Sequence, residues 1–469
     1  MRFPFLLAVL ASGALVAACG GSTASSGPTG DASAPETSRR EASVPDVGTD
    51  AVVKDAGTDA PRDAGADVMT FPDGGGTPIS QNPADVSESE DQIAVAPDGT
   101  IGILWSAYSQ TALEMAYRFS SDDGASFSPI ERITLPAGYE PGDPSITTDA
   151  QGNFYMSTLG IHLSGGNIDQ IRAYVAKAPK GSTTFGAPVE ITDPATILFL
   201  DHPKIRVLAS GTIVVTYMAS TDLASTTSDG VLASSPDGIT WTRMTFVTQP
   251  DAVFSNLFWT CEGQGVLYVT YLEFTATAGY VALRKSTDQG ATWSHPSTVV
   301  SLPTELVAAN DPLCVASGSD VWIQYTTTPM NVTSQNSLDP AHAMPIAHSA
   351  NAGLTLDPTR IDSLDTKASA EAMFPVILRE SSGTLDVAYL AGQADMDPMG
   401  SVRLTRATGS TFAPSTIIDG PLSFDVDRTA STWLGDYFGA VLHGPAMYVA
   451  YPMNSSGLDH IYFRKVPLP

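Results

Sequence analysis

The sequence predicts an all-β fold, a β-propeller of seven four-stranded blades, on three observations. A unit of two apolar strands around a Gly- or Asp-containing turn recurs seven times, each copy is followed by two further strands, and three of the later turns share one short pattern. The copies run Ile93–Trp105, Ile146–Tyr155, Ile205–Tyr217, Leu257–Tyr271, Leu313–Tyr325, Val376–Tyr389 and Ala440–Tyr451. Their turn glycines (Gly99, Gly152, Gly211, Gly265, Gly318, Gly383 and Gly444) lie roughly 50 to 65 residues apart, enough for one blade. Fourth strands open on an aromatic and a Pro, as in Phe127-Ser-Pro129, Phe185-Gly-Ala-Pro188 and Phe412-Ala-Pro414. The seventh copy stops after its third strand, His460–Arg464, and Thr77–Gln81 stands before the first copy as an orphan strand. Pairing that strand into the last blade would remove an open edge.

The shared turn pattern is Ser-x-Asp-x-Gly-x-Thr-aromatic. It is complete in Ser286, Asp288, Gly290, Thr292 and Trp293. In Ser120, Asp122, Gly124 and Phe127 a serine, Ser126, replaces the threonine. In Ser234, Asp237, Gly238 and Trp241 the aspartate comes one place late. The carboxylate is expected to cap the turn's N–H groups, the glycine to supply positive φ, and the aromatic to fold back between neighbouring sheets. These segments resemble the Asp-box, or bacterial neuraminidase repeat, of sialidase-like β-propellers. The resemblance implies architecture over residues 77–469 and gives the repeats a structural role. Known sialidases have six blades, so six is the alternative count.

Residues 1–18 read as a signal peptide: a basic start at Arg2, an apolar run too short to span a bilayer, and small residues before Cys19. Val16-Ala17-Ala18-Cys19 resembles a bacterial lipoprotein box, which implies acylation of Cys19. Gly20 behind it is similar to lipoproteins of the outer membrane. Residues 19–76 are rich in Ala, Asp, Gly and Pro, with Asp46, Asp50, Asp55, Asp59, Asp63 and Asp67 at short intervals. So few large apolar side chains cannot offset ordering entropy, and a disordered tether is expected. A single domain, 77–469, follows. The net charge of −27 argues against nucleic acid and anionic lipid as partners, and the lipid anchor is the one membrane contact expected. A monomer is expected. Cys261 and Cys314 each stand four residues before the turn glycine of adjacent copies, where a disulfide or two buried thiols are both open.

In a propeller the first strands line a central channel, and their N-terminal ends open on the face opposite the Ser-x-Asp turns. Counting back seven to ten residues from each turn glycine gives the mouth: Glu90, Asp143, Asp201 with His202, Asn256, Asp311, Phe374 with Glu371 nearby, and Asp436 with Tyr437. Crowded carboxylates raise one another's pKa, which suits acid–base work or the binding of sugar hydroxyls. Trp433-Leu-Gly435-Asp436-Tyr437-Phe438 looks like the Gly-Asp-Tyr segment of many sialidase-like proteins, at the place where sialidases carry a nucleophilic tyrosine. The resemblance implies Tyr437 as nucleophile; since a tyrosine needs a base, the mouth carboxylates offer Glu371 as its base and Asp143 or Asp201 as acid. Glu90, His202, Asp311, Trp433, Asp436 and Arg428 are the expected ligand contacts. Against a sialidase stands Ser87–Ile93, which is acidic where that family places the first arginine of its carboxylate clamp. Arg118, Arg284, Arg406 and Arg464 sit at third-strand ends and read as structural, and Arg379 and Arg428 are the basic groups expected near the mouth.

Three function classes result. The first is recognition of carbohydrate or another extracellular polymer through an acidic mouth, from a lipid-anchored position in the cell envelope. The second is a sialidase-related glycosidase, or a lyase, using the mouth carboxylates and Tyr437. The third is a scaffold for protein contacts. No cofactor is expected, with calcium left open.

Overall fold

The computed structural model describes residues 75–468 except 83–84, 110–111, 194–196, 224–226, 247–251, 276–277, 303–305, 309–311, 330–343, 354–356, 360–369, 394–398, 409–410, 424–434, 436 and 456–457. The signal segment, Cys19 and most of the expected tether therefore lie outside the described residues.

Seven antiparallel sheets follow one another along the chain, as the recurrence predicted. Blade 1 runs from Asp85–Val95 to Glu131–Arg132, blade 2 from Tyr139–Thr148 to Val189–Glu190, and blade 3 from Phe199–Val207 to Thr242–Phe246. Blade 4 runs from Ala252–Gly263 to Ser297–Leu302, and blade 5 from Leu313–Ser317 to Asp357–Thr359. Blade 6 begins at Ala370–Arg379 and ends at Thr416–Ser423, and blade 7 is Gly439–His443, Ala446–Ser455 and Leu458–Pro467. A short ribbon, Leu306–Ala308 with Thr327–Pro329, flanks the inner pair of blade 5. First strands of successive blades touch in a closed ring, blade 7 meeting blade 1.

Closure uses the N-terminal strand. Thr77 pairs with Phe463 and Pro78 with Tyr462, so this strand forms the outermost strand of blade 7. A buried polar knot fastens the joint. The Ser80 hydroxyl and the Trp105 indole donate to Glu88, and His460 Nδ1 lies 2.9 Å from the same carboxylate. Burial raises the Glu88 pKa, while His460 and Ser80 pull it back. Alongside, Asp91 accepts the Gly439 N–H of blade 7 at 3.0 Å.

The cores lie between blades, because each sheet packs its two faces on its neighbours. A strand covered on both faces need not alternate, and Ile213–Ser220 is buried at every position. Hydroxyls of second strands tie one blade to the next. Ser157 donates to the Pro203 carbonyl at 2.8 Å, Thr216 to that of Phe258 at 3.2 Å, and Thr270 to that of Pro312. Each such bond contributes about 1 kcal/mol. Cys261 and Cys314 form a disulfide between the inner strands of blades 4 and 5, with Cα atoms 5.7 Å apart.

The Ser-x-Asp turns close as expected. Ser286 donates to Asp288 at 2.7 Å, and Asp288 accepts the N–H and hydroxyl of Thr292. Asp122 does the same with Ser120 and Ser126. In the second copy the turn begins at Ser235, one residue later than the pattern suggested, and Gly238 N–H reaches Ser235 Oγ three residues back. A fourth copy, with asparagine for aspartate, closes blade 5 through Ser349, Asn351 and Gly353. The aromatics are less covered than expected: Phe127, Trp241 and Trp293 are half-buried. Phe127 packs edge-on against Phe463 of blade 7 at 5.3 Å, and Trp293 lies 5.4 Å from Phe246 of blade 3, so each does bridge blades. The four arginines read as structural also serve the sheets. Arg118 donates to carbonyls of Ile79 and Phe127, Arg284 to Tyr271 and Ser294, Arg406 pairs with Asp386, and Arg464 with Asp419.

Hydrogen bonds from the Ser126 and Thr292 hydroxyls, with those of Ser120 and Ser286, hold Asp122 and Asp288 down at about 2. A depressed folded pKa means stability that is present above the ordinary value near 3.8 and lost as pH falls toward 2. The Asp122→Asn/Asp288→Asn variant should therefore melt below the parent at pH 5, with the difference closing by pH 2. Thermal scans across that range check it, and a constant gap would contradict the assignment.

Candidate functional site

Every complete inner strand carries the same irregularity. In blade 1, Ser89 pairs with Ser106 but the next pair is Gln92 with Leu104, so the inner strand holds one extra residue. The same shift lies between Gly142 and Ser145, Asp201 and Lys204, Asn256 and Trp259, and Met373 and Val376. These are β-bulges, and each puts one non-glycine residue in the left-handed region. The residues are Glu90, Asp143, His202, Leu257 and Phe374, with φ between +49° and +59°. Each costs on the order of 1–3 kcal/mol, and the bulge re-aims two successive side chains toward the mouth. Because Leu257 and Phe374 adopt it too, the bulge belongs to the architecture. The chemistry lies in what occupies it.

Those occupants divide the mouth. Blades 1 to 3 present Glu90, Asp143 and the pair Asp201–His202, and blade 4 adds Asn256 beside Leu257, whereas blade 6 presents Phe374. The expected acidic ring is, among the described residues, a polar arc facing an apolar one. Asp311, Arg428, Trp433 and Asp436 lie outside the described residues. Glu371 is described only as backbone paired with Gly392. Arg379 is not at the mouth. It pairs with Leu385 beside the hairpin glycine Gly383, at the other end of the channel.

Within the arc, Asp143, Asp201 and His202 each bring one ligand atom to within 4.8 Å of the others. Asp143 Oδ2 accepts the His202 N–H at 3.2 Å, and Asp201 Oδ2 accepts from Asn256 Nδ2 at 3.0 Å. His202 Nε2 stands 3.7 Å from Asp201. Burial pushes the Asp201 carboxyl up to about 6. The proximity of Asp143 contributes to that rise, and His202 and Asn256 oppose it. The three side chains are near enough to bind one cation, which keeps calcium open. Calcium asks for about six or more oxygens, so solvent or ligand would supply the rest. Glu90 stands apart, its carboxylate accepting the Ser106 hydroxyl at 3.0 Å.

Tyr437 does not stand as a nucleophile would. It is 7% exposed, and its hydroxyl donates to the Pro144 carbonyl at 3.3 Å. At three other joints that carbonyl position accepts from Ser157, Thr216 or Thr270. In blade 1 the corresponding residue is Leu104, which has no hydroxyl, so Tyr437 reaches across from blade 7 to make the bond. Its ring covers the Lys204 ammonium, 3.4 Å from the centroid, and meets His202 at 6.4 Å. Gly435 lets this segment approach, since a Cβ there would stand 2.8 Å from the Glu90 backbone nitrogen. Tyr437 and Lys204 thus floor the mouth. Sequence reading missed Lys204, which lies two residues past His202, because only arginines were weighed as mouth cations.

No protein-family profile matches the chain, and neither does any curated protein. Among solved structures, the chain is similar to a protein of unknown function from Dyadobacter fermentans, with 12% identity, a TM-score of 0.52, and cover of 84% of this chain and 98% of that one. It is similar to an ulvan lyase of polysaccharide lyase family PL25 at 13% identity and a TM-score of 0.53, covering 84% of this chain and 94% of that one. A Trypanosoma rangeli sialidase matches at 14% identity and a TM-score of 0.47, over 83% of this chain and 56% of its own length. The fold, shared with the two structures that match at TM-scores above 0.5, is a β-propeller. At these identities the likeness is one of architecture, and the mouth must be read from its own residues.

Proposed function

We propose that this sialidase-like propeller recognises carbohydrate, as neutral or cationic units of an extracellular polymer, at the polar arc of its mouth. One observation carries the reading: Asp143, Asp201 and His202 converge on a single point in a partly desolvated mouth. Bringing two carboxyls together out of water is unfavourable, and the bulges do not require it, since Leu257 and Phe374 occupy the same position without charge. Carboxylates, an imidazole and the Asn256 amide offer donors and acceptors for sugar hydroxyls, and the apolar side at Leu257 and Phe374 suits the faces of pyranose rings. Glu90 would repel a sialic acid carboxylate. The similarly folded ulvan lyase supports a polysaccharide as the ligand class. An envelope position, with Cys19 acylated and the following segment as tether, completes the proposal, and loss of metabolic fatty-acid labelling in Cys19→Ala would test it.

Catalysis is the second reading, favoured by the Asp201 carboxyl at about 6, where it both gives and takes protons near neutrality. A polysaccharide panel separates the two readings. Retention without cleavage supports recognition. New reducing ends or unsaturated ends, lost in Asp201→Asn, would replace it with a hydrolase or lyase. Tyr437→Phe should leave either activity largely in place, because that hydroxyl ties blades together.

A further inference from the structure

Below the bulges the inner strands enclose a second space, a cavity of about 390 Å³ that the mouth residues Asp143, Asp201 and His202 do not line. Its waist is apolar, formed by Ile146, Ile205, Trp259, Leu313 and Val376, with the Cys261–Cys314 disulfide in the wall. Lys204 and Tyr437 stand at the mouth end. At the hairpin end stand Arg206, Glu262 and Arg379, paired with Val214, Leu267 and Leu385 next to their turns.

The two guanidiniums reach this end from blades 3 and 6. Among the described residues neither has a carboxylate oxygen within ion-pair distance. The carboxylates nearest in sequence to Arg379, Glu380 and Asp386, are both held by Arg406. Glu262 accepts the Ala209 N–H at 2.7 Å. Arg379 lies over the Trp322 ring at 5.2 Å, and its buried Nε finds no hydrogen-bond partner among the described residues. Glu262 offsets part of the Arg206 charge, whereas Arg379 has, among the described residues, only the Trp322 face and the Glu380 carbonyl, so an anion carried on an apolar body would satisfy both the remaining charge and the waist. The volume falls within the range of small-molecule sites. In a chain of net charge −27, this is a locally cationic space.

We propose that the channel beneath the mouth, which it meets at Phe374, Lys204 and Tyr437, is a second ligand site, for a small organic anion. Its apolar body fills the waist and its carboxylate is held by Arg206 and Arg379. The test is calorimetric titration of the purified chain with octanoate, octan-1-ol and octylammonium, repeated on Arg206→Gln/Arg379→Gln. One octanoate per chain is expected, bound at least about 10-fold more tightly than the alcohol, with octylammonium weakest. The double variant should lose about 30-fold toward octanoate and little toward the alcohol. The comparison of three ligands on the unaltered chain needs no variant to fold. Absence of octanoate binding at millimolar concentration, equal affinity for the alcohol, or undiminished octanoate affinity in a folded double variant would each overturn the proposal.

Discussion

Asp201→Asn should make the protein more stable at pH 7.5 while removing binding at the mouth. The carboxyl sits at about 6 in the fold against an ordinary value near 3.8. A raised acid is a proton held more tightly by the native state. The stability it contributes is therefore full below about pH 4 and lost as pH rises through 6. Above that point the ionised carboxylate costs up to about 3 kcal/mol, an upper figure for a carboxyl with charged neighbours this close. Asparagine mimics the neutral form and keeps an acceptor for Asn256. Urea unfolding in chelator-containing buffer should show the variant gaining up to about 3 kcal/mol at pH 7.5 and nothing at pH 4. A variant less stable at pH 7.5 would mean that the carboxylate is a structural partner of His202, with no cost for function to explain.

Removing the disulfide should have the largest effect on stability alone. Cys261 and Cys314 are 53 residues apart, so the bond restricts a long loop of the unfolded chain. By loop-closure entropy that is worth about 4 kcal/mol. For a domain of this size the Cys261→Ala/Cys314→Ala variant should melt roughly 5 °C lower, and the parent in reductant should match it. The bond also fastens blade 5, whose first two strands, Leu313–Ser317 and Asp320–Gln324, are among the shortest of the ring. A change within 1 °C would show that packing between blades already fixes these strands.

Much of the fold was legible because a propeller repeats itself. Turn glycines, terminal aromatics and the orphan strand at Thr77 each give a local signal, and seven copies make the pattern firm. Deviations were legible only in part. Asn351 closes the same turn as Asp288, yet a pattern built on aspartate passes over it. The late Asp237 is explained once Ser235, not Ser234, is seen to start the turn. Mouth positions could be counted from the hairpin glycines because the bulge sits at a nearly constant distance from them. Counting along single strands gives no angle around the axis. It therefore could not show that Asp143 and Asp201 of adjacent blades meet while Glu90 turns to Ser106. Nor could it show that Tyr437 replaces a hydroxyl missing at Leu104. Lys204 needed three dimensions as well, since its ammonium becomes part of the mouth only beneath the Tyr437 ring.

In the proposed function, Asp143, Asp201 and His202 converge to hold a sugar. Titrating the best-retained polysaccharide of the panel into the parent and into Asp143→Asn/Asp201→Asn, both shown to be folded, tests it most directly. Saturable binding by the parent is expected, with a loss of at least about 30-fold in the variant, from the loss of charge-assisted bonds. Equal affinity in the two proteins would place the ligand elsewhere and leave the buried acids without a role in recognition.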